Sequence, residues 1–91
     1  MIPKNRRPTH PGEILLEEFL IPLGLTQVEL ADRMGVSVQR INTIVNGKRD
    51  ISAETAVLLS ITLGTTAELW MNLQAACDLF DARRSLGSAA A

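Results

Sequence analysis

The sequence predicts an all-α chain of five helices. Its apolar residues recur at intervals of three and four rather than two, the period of helices that bury one face. Gly24, Gly35, Gly47 and Gly64 interrupt that pattern where such helices should stop, because glycine takes the left-handed turn that closes a helix at least cost. Thr26 and Glu29 stand three apart, the spacing at which a hydroxyl caps a helix start and a carboxylate reaches back to the cap's own N–H. The length of 91 residues allows one domain with one core.

Taken in order, residues 1–9 carry Lys4, Arg6 and Arg7 between prolines without periodicity and predict an extended basic arm. The arm is a solvated terminus, or else a segment that touches phosphate or a partner protein. His10-Pro11-Gly12-Glu13 opens helix 1, since proline suits the first helical position and an acid suits the positive end of the dipole. The only histidine has no second histidine to share a metal with, so its expected place is structural. Leu15, Leu16, Phe19 and Leu20 form the buried face of helix 1; Pro22 and Gly24 end it, and Leu23 and Leu25 are expected to plug the core.

Helix 2 starts at the Thr26 box, turns Leu30, Ala31 and Met34 inward, and stops at Gly35. Val36 pins the turn, Ser37 caps helix 3, and Ile41, Ile44 and Val45 give that helix one apolar face before Gly47. Ser52 caps helix 4, with Glu54 at its positive end and Gly64 closing it. Ala56, Val57, Leu58, Leu59, Ile61 and Leu63 cannot all face one neighbour, which predicts that something beyond the domain itself covers helix 4. Thr65 and Glu68 repeat the capping spacing, and helix 5 follows with Leu69, Trp70, Leu73, Ala76, Cys77 and Phe80 on one stripe. That stripe packs onto helices 1 and 4, or part of it meets a second copy; the dimerisation candidates are Leu69, Trp70, Leu73, Cys77 and Phe80. Arg83 and Arg84 suit the negative helix end, so the helical domain is expected over residues 10–84 and a frayed tail over 85–91.

The outward side of helix 3 is the informative surface. Where an ordinary exposed helix carries Glu and Lys, this one carries Ser37, Val38, Gln39, Asn42, Thr43 and Asn46, side chains that match base edges in a DNA major groove. From Arg33 to Arg49 there are four basic residues, Arg33, Arg40, Lys48 and Arg49, and no acid, which favours phosphate. Two helices joined by a glycine turn, the second presented to the groove, make a helix-turn-helix. On this reading Ser37, Val38, Gln39, Asn42 and Thr43 are the base-reading candidates, with Gln39 suited to adenine and Val38 to a thymine methyl. Gln27, Arg40, Asn46, Lys48 and Arg49 are the phosphate-binding candidates, and Arg40 could instead reach a guanine.

The stretch over residues 26–49 resembles the helix-turn-helix of Xre-type, lambda-repressor-like domains. The chain from Thr9 to Phe80 resembles the HigA family of antitoxins. The likeness is carried by THPGEILLEEFLIPLGLTQVELA at 9–31, INTIVNGKRDISAETA at 41–56 and LGTTAELWMNLQAACDL at 63–79. It departs at Leu58, where relatives often have arginine, and at Cys77, where they often have an aromatic residue. The resemblance implies a homodimer on double-stranded DNA carrying an inverted-repeat operator, repression of its own operon, and a HigB-type ribonuclease toxin as protein partner. Two other readings remain: a stand-alone Xre-type repressor without a toxin, and an interaction module that has kept the fold and lost DNA binding.

Bulk properties narrow the classes further. No apolar run approaches the length of a membrane span, and a single cysteine forms no intramolecular disulfide, so the expectation is a cytoplasmic protein with no membrane partner. No His, Cys, Asp or Glu cluster suggests catalysis, a metal or a cofactor, and none is expected. Net charge is −1, yet residues 1–50 hold seven basic and six acidic groups while 51–91 hold two and four. Local placement outweighs that total, because screening limits attraction to roughly 8 to 10 Å.

Overall fold

The computed structural model describes residues 6–87. Lys4 of the expected arm and residues 88–91 of the expected tail lie outside them. Five helices and no strand occur among the described residues.

The first helix, α1, runs over residues 11–23 in three continuous segments: α-helical Pro11–Ile14, π-helical Leu15–Leu20 and α-helical Ile21–Leu23. His10 caps it, its Nδ1 accepting the Gly12 N–H at 2.9 Å. Of the two residues expected to end α1, Gly24 does so, while Pro22 stays inside the helix. A proline inside an α-helix donates no bond and crowds the carbonyl four residues back, whereas the wider π-helical coil relieves that crowding. The Ile21 N–H accordingly reaches the Leu16 carbonyl, five residues back. Gly24, at φ 61°, then closes the helix, with the Leu25 N–H bonding the Leu20 carbonyl at 2.9 Å. This reversal folds Leu25 into the core and leaves Leu23 outside at 62 % exposure, so only one of the two expected plugs is a plug.

Helix α2, Gln27–Met34, starts on the complete capping box: Thr26 Oγ1 accepts the Glu29 N–H and Glu29 Oε1 accepts the Thr26 N–H. The two backbone and hydroxyl bonds of Thr26 hold the Glu29 carboxyl below its ordinary value. Gly35, at φ 70°, turns the chain into α3, Val38–Val45, with half-buried Val36 packed against the core. Helix α4, Ala53–Leu63, is capped by Ser52. It turns Ala56 and Leu59 fully inward and leaves Val57 and Ile61 exposed.

Helix α5, Ala67–Leu86, is capped by Thr66 rather than Thr65. The Thr65 hydroxyl instead accepts the Trp70 indole N–H at 2.7 Å. The helix continues to Leu86, two residues beyond the expected limit at 84. Trp70 is fully buried and its ring lies 5.4 Å from that of Phe19 at 51°, a tilted pair that joins α5 to α1. Leu15, Leu30, Ile41, Ile44 and Leu59 complete the buried centre.

This packing corrects the dimerisation set. Trp70 and Cys77 are both at 0 % exposure inside one protomer and have no surface to offer a second copy. Leu73 packs against the core, Phe80 is half-buried, and Leu69 alone of the five is exposed. The indole demands a large apolar enclosure, and α1 with α4 supplies it within the chain.

The described end of the arm, residues 6–9, is likewise tied to the domain. Arg7 makes a two-pronged bond to Asp81 on α5, at 3.0 and 2.9 Å, which holds the Asp81 carboxyl low and raises the Arg7 guanidinium. The Cys77 thiol faces the carbonyls of Pro8 and Thr9, and burial pushes its pKa up, away from nucleophilic behaviour.

Candidate nucleic-acid interface

Helix α3 begins where Ser37 Oγ accepts the Arg40 N–H at 3.1 Å, and its apolar face, Ile41 and Ile44, is fully buried. That burial leaves the opposite side outward by geometry. Ser37, Gln39, Asn42 and Asn46 are exposed, Val38 is 45 % exposed, and Thr43 is half-buried. Four of the five base-reading candidates, Val38, Gln39, Asn42 and Thr43, therefore lie on α3 away from its buried face, with Ser37 just before the helix as its cap. They are not equally available: the Thr43 hydroxyl donates back to the Gln39 and Arg40 carbonyls, at 3.0 Å each, whereas the Gln39 amide makes no hydrogen bond among the described residues. Gln39 thus keeps both its donor and its acceptor for an external partner.

A short amide chain crosses from the supporting helix to this face. Asn42 Nδ2 donates to Gln27 Oε1 at 3.2 Å, and Asn46 Nδ2 donates to Asn42 Oδ1 at 3.1 Å. Gln27 at the start of α2 is thereby tied to the reading side of α3, and the row of amides is ordered before any ligand arrives.

Of the remaining phosphate-binding candidates, Lys48 and Arg49 follow the C-terminal end of α3, whereas Arg40 lies in its first turn. Gly47, at φ 74°, ends the helix while the Gly47 and Lys48 N–H groups bond the Ile44 and Thr43 carbonyls, at 3.0 and 2.9 Å. The carbonyls of the last turn are satisfied, and the Lys48 and Arg49 side chains stand exposed in the following loop. Arg40 is less free, with its guanidinium 3.6 Å from Glu54 on α4. Its partner is exposed and the contact long, so a phosphate could compete for it.

Two supporting residues escape a reading of charge and periodicity. Gln74 on α5 is buried at 3 % exposure; its Oε1 accepts the Ile51 N–H at 2.8 Å and its Nε2 donates to Asp78 at 3.0 Å. It fastens the far end of the Lys48–Arg49 loop to α5. The available signal was a polar side chain on the same stripe as Trp70 and Cys77. His10 is the second: a Cβ added at Gly47 would touch its ring at 3.8 Å, so the ring lies against the end of α3. Burial, and then the nearby Arg7 charge, lower its pKa, which keeps the imidazole neutral and able to cap α1.

No cluster of metal-binding side chains occurs among the described residues, and no helix is long and apolar enough to cross a membrane. The geometry is that of an exposed, uncharged polar helix face with exposed cations in the loop beside it.

Comparison with known proteins agrees. Residues 16–70 match a helix-turn-helix family. Virulence-associated protein I of Dichelobacter nodosus is 49 % identical over 77 residues, 84 % of this chain and 71 % of that one. Antitoxin HigA-1 of Vibrio cholerae is 44 % identical over 79 residues, 87 % of this chain and 74 % of that one. Among solved structures, the Pseudomonas aeruginosa antitoxin HigA with the higBA promoter superposes with a TM-score of 0.86 at 41 % identity, covering 91 % of this chain and 90 % of that one.

Proposed function

Because the chain belongs to the helix-turn-helix family that includes the HigA antitoxins, we propose that it binds an inverted-repeat operator as a homodimer, represses its own operon and neutralises a HigB-type ribonuclease toxin. The observation that carries the DNA half is the accessible, uncharged polar face of α3, flanked by Lys48 and Arg49 and set within a stretch from Arg33 to Arg49 that has no acid. The toxin half rests on the likeness to HigA, and the reading gives this chain no catalysis of its own. The domain we assign runs from His10 through Leu86.

Gln39, Val38 and Asn42 read base edges on this proposal, Ser37 and Thr43 stand at the margin, and Gln27, Arg40, Asn46, Lys48 and Arg49 hold the backbone. Gln39→Ala should cost about 1 to 3 kcal/mol on the cognate operator and relax sequence preference. Lys48→Ala should instead weaken every duplex alike and lower the salt slope by about 0.9. Titration of both variants on cognate and scrambled duplexes at several salt concentrations separates the roles, and matching profiles would refute the assignment.

One α3 reads only a few base pairs, so specificity calls for two copies with reading helices about 34 Å apart. With Trp70 and Cys77 withdrawn into the core, the outward apolar side of α4 supports the contact best: Ile61 is 75 % exposed and Val57 stands one turn before it. Ile61→Asp should convert a dimer to a monomer in light scattering at micromolar concentration while leaving the helical circular dichroism intact. A variant that stays dimeric would move the contact elsewhere.

A further inference from the structure

The corner where α1 meets α2 leaves three large apolar side chains in solvent: Ile21 at 60 %, Leu23 at 62 % and Val28 at 64 % exposure. Of the three, Ile21 rims a depression of about 260 Å³ whose other walls include Leu16, Leu20, Leu25 and Gln27. A concave apolar site at the surface of a small domain marks a place where something docks.

The charge around this corner narrows what docks. From Pro8 through Asp32 the chain holds five carboxylates, Glu13, Glu17, Glu18, Glu29 and Asp32, and neither lysine nor arginine. All five are exposed, and none belongs to an ion pair among the described residues. This is the reverse of the acid-free stretch that follows it. Nucleic acid is repelled here. A second copy placed face to face would set like charges against one another, at a cost that the uncharged Val57 and Ile61 surface avoids. Arg7 is no occupant either, since it is paired with Asp81 on α5.

We propose that the α1–α2 corner is the docking surface for a basic protein, and, resting on the antitoxin reading above, that this protein is the ribonuclease toxin. A ribonuclease must hold RNA phosphates and therefore presents cations around its active surface. The Glu13, Glu17 and Glu18 row offers carboxylates to those cations while Ile21 and the apolar depression it rims supply the anchor. Neutralisation then follows from occupancy: the carboxylates take the place of the substrate's phosphates.

The test is calorimetric titration of the full chain with the HigB-type ribonuclease transcribed alongside it, at two salt concentrations. Two double variants are compared with the parent: Ile21→Ser with Leu23→Ser, and Glu17→Lys with Glu18→Lys. All four positions are exposed, and retained operator binding reports that each variant is folded. Expected are at least tenfold weaker toxin binding for both variants, and a flatter salt dependence for the charge-reversed one. Parent-like toxin binding by both variants would overturn the corner while leaving the antitoxin reading in place. Failure of the parent itself to bind the toxin would overturn the antitoxin reading and this inference with it.

Discussion

Gly12→Ala should destabilise the domain by about 3 kcal/mol, the upper end of what an overpacked site costs. Helix propensity acting alone would give the opposite sign, since alanine is favoured over glycine by about 1 kcal/mol in a helix. The sign of the change is therefore decisive. Gly12 sits in the first turn of α1, buried, and a Cβ at that position would overlap the Ile44 carbonyl oxygen in the last turn of α3. The obstacle is backbone, which no side-chain rotation clears, so α1 and the reading helix must separate. In thermal unfolding the transition should fall by roughly 12 to 24 °C, given about 4 to 8 °C per kcal/mol for a domain of this size. Gly64→Ala is the control: it faces open space at φ 73°, so only the left-handed backbone penalty of about 1 to 2 kcal/mol applies. An unchanged or raised midpoint for Gly12→Ala would show that the close approach does not constrain the fold.

Gln74→Leu should cost about 1 to 3 kcal/mol, the penalty for a buried N–H left without an acceptor. Leucine is close to glutamine in size, so no cavity confounds the measurement. What is lost is the 2.8 Å bond to the Ile51 N–H and the 3.0 Å bond to Asp78. Hydrogen exchange localises the effect: the Ile51 amide should be protected in the parent and lose that protection in the variant. Because Ile51 ends the loop that carries Lys48 and Arg49, operator affinity should drop along with stability. Stability that falls while the Ile51 amide stays protected would mean that Gln74 acts through some other contact.

The parts of the fold legible in the sequence were those set by neighbours in the chain. Thr26 with Glu29, Ser37, Ser52 and the positive-φ glycines Gly24, Gly35, Gly47 and Gly64 act within five residues of themselves, so their spacing alone located three helix starts and four stops. The accessible face of α3 was legible for the same reason, because fixing Ile41 and Ile44 inward fixes Gln39 and Asn42 outward. What was hidden depended on distant parts of the chain. A stripe at helical spacing has one period whether it meets its own core or another copy; the space between α1 and α4 took Trp70 inward, and the Pro8–Thr9 backbone covered Cys77. Thr65 lost the capping position because its hydroxyl was wanted by Trp70, five residues on. The bond from Gln74 to Ile51 and the clasp from Arg7 to Asp81 join positions 23 and 74 apart, and nothing in local pattern announces either.

The wide-coiled stretch at Leu15–Leu20 sets the phase between the two ends of α1. Its first turn is locked to the reading helix through Gly12 and His10, while its last carries Ile21 and Leu23 into solvent. Tightening the stretch to an ordinary coil at the same length would turn everything after it by up to about 100° around the axis, whereas removing one residue as well would restore the original phase. At fixed length Leu25 would be drawn off the core and Ile21 off the acidic row, so the wider coil governs how the outer corner is aimed relative to α3.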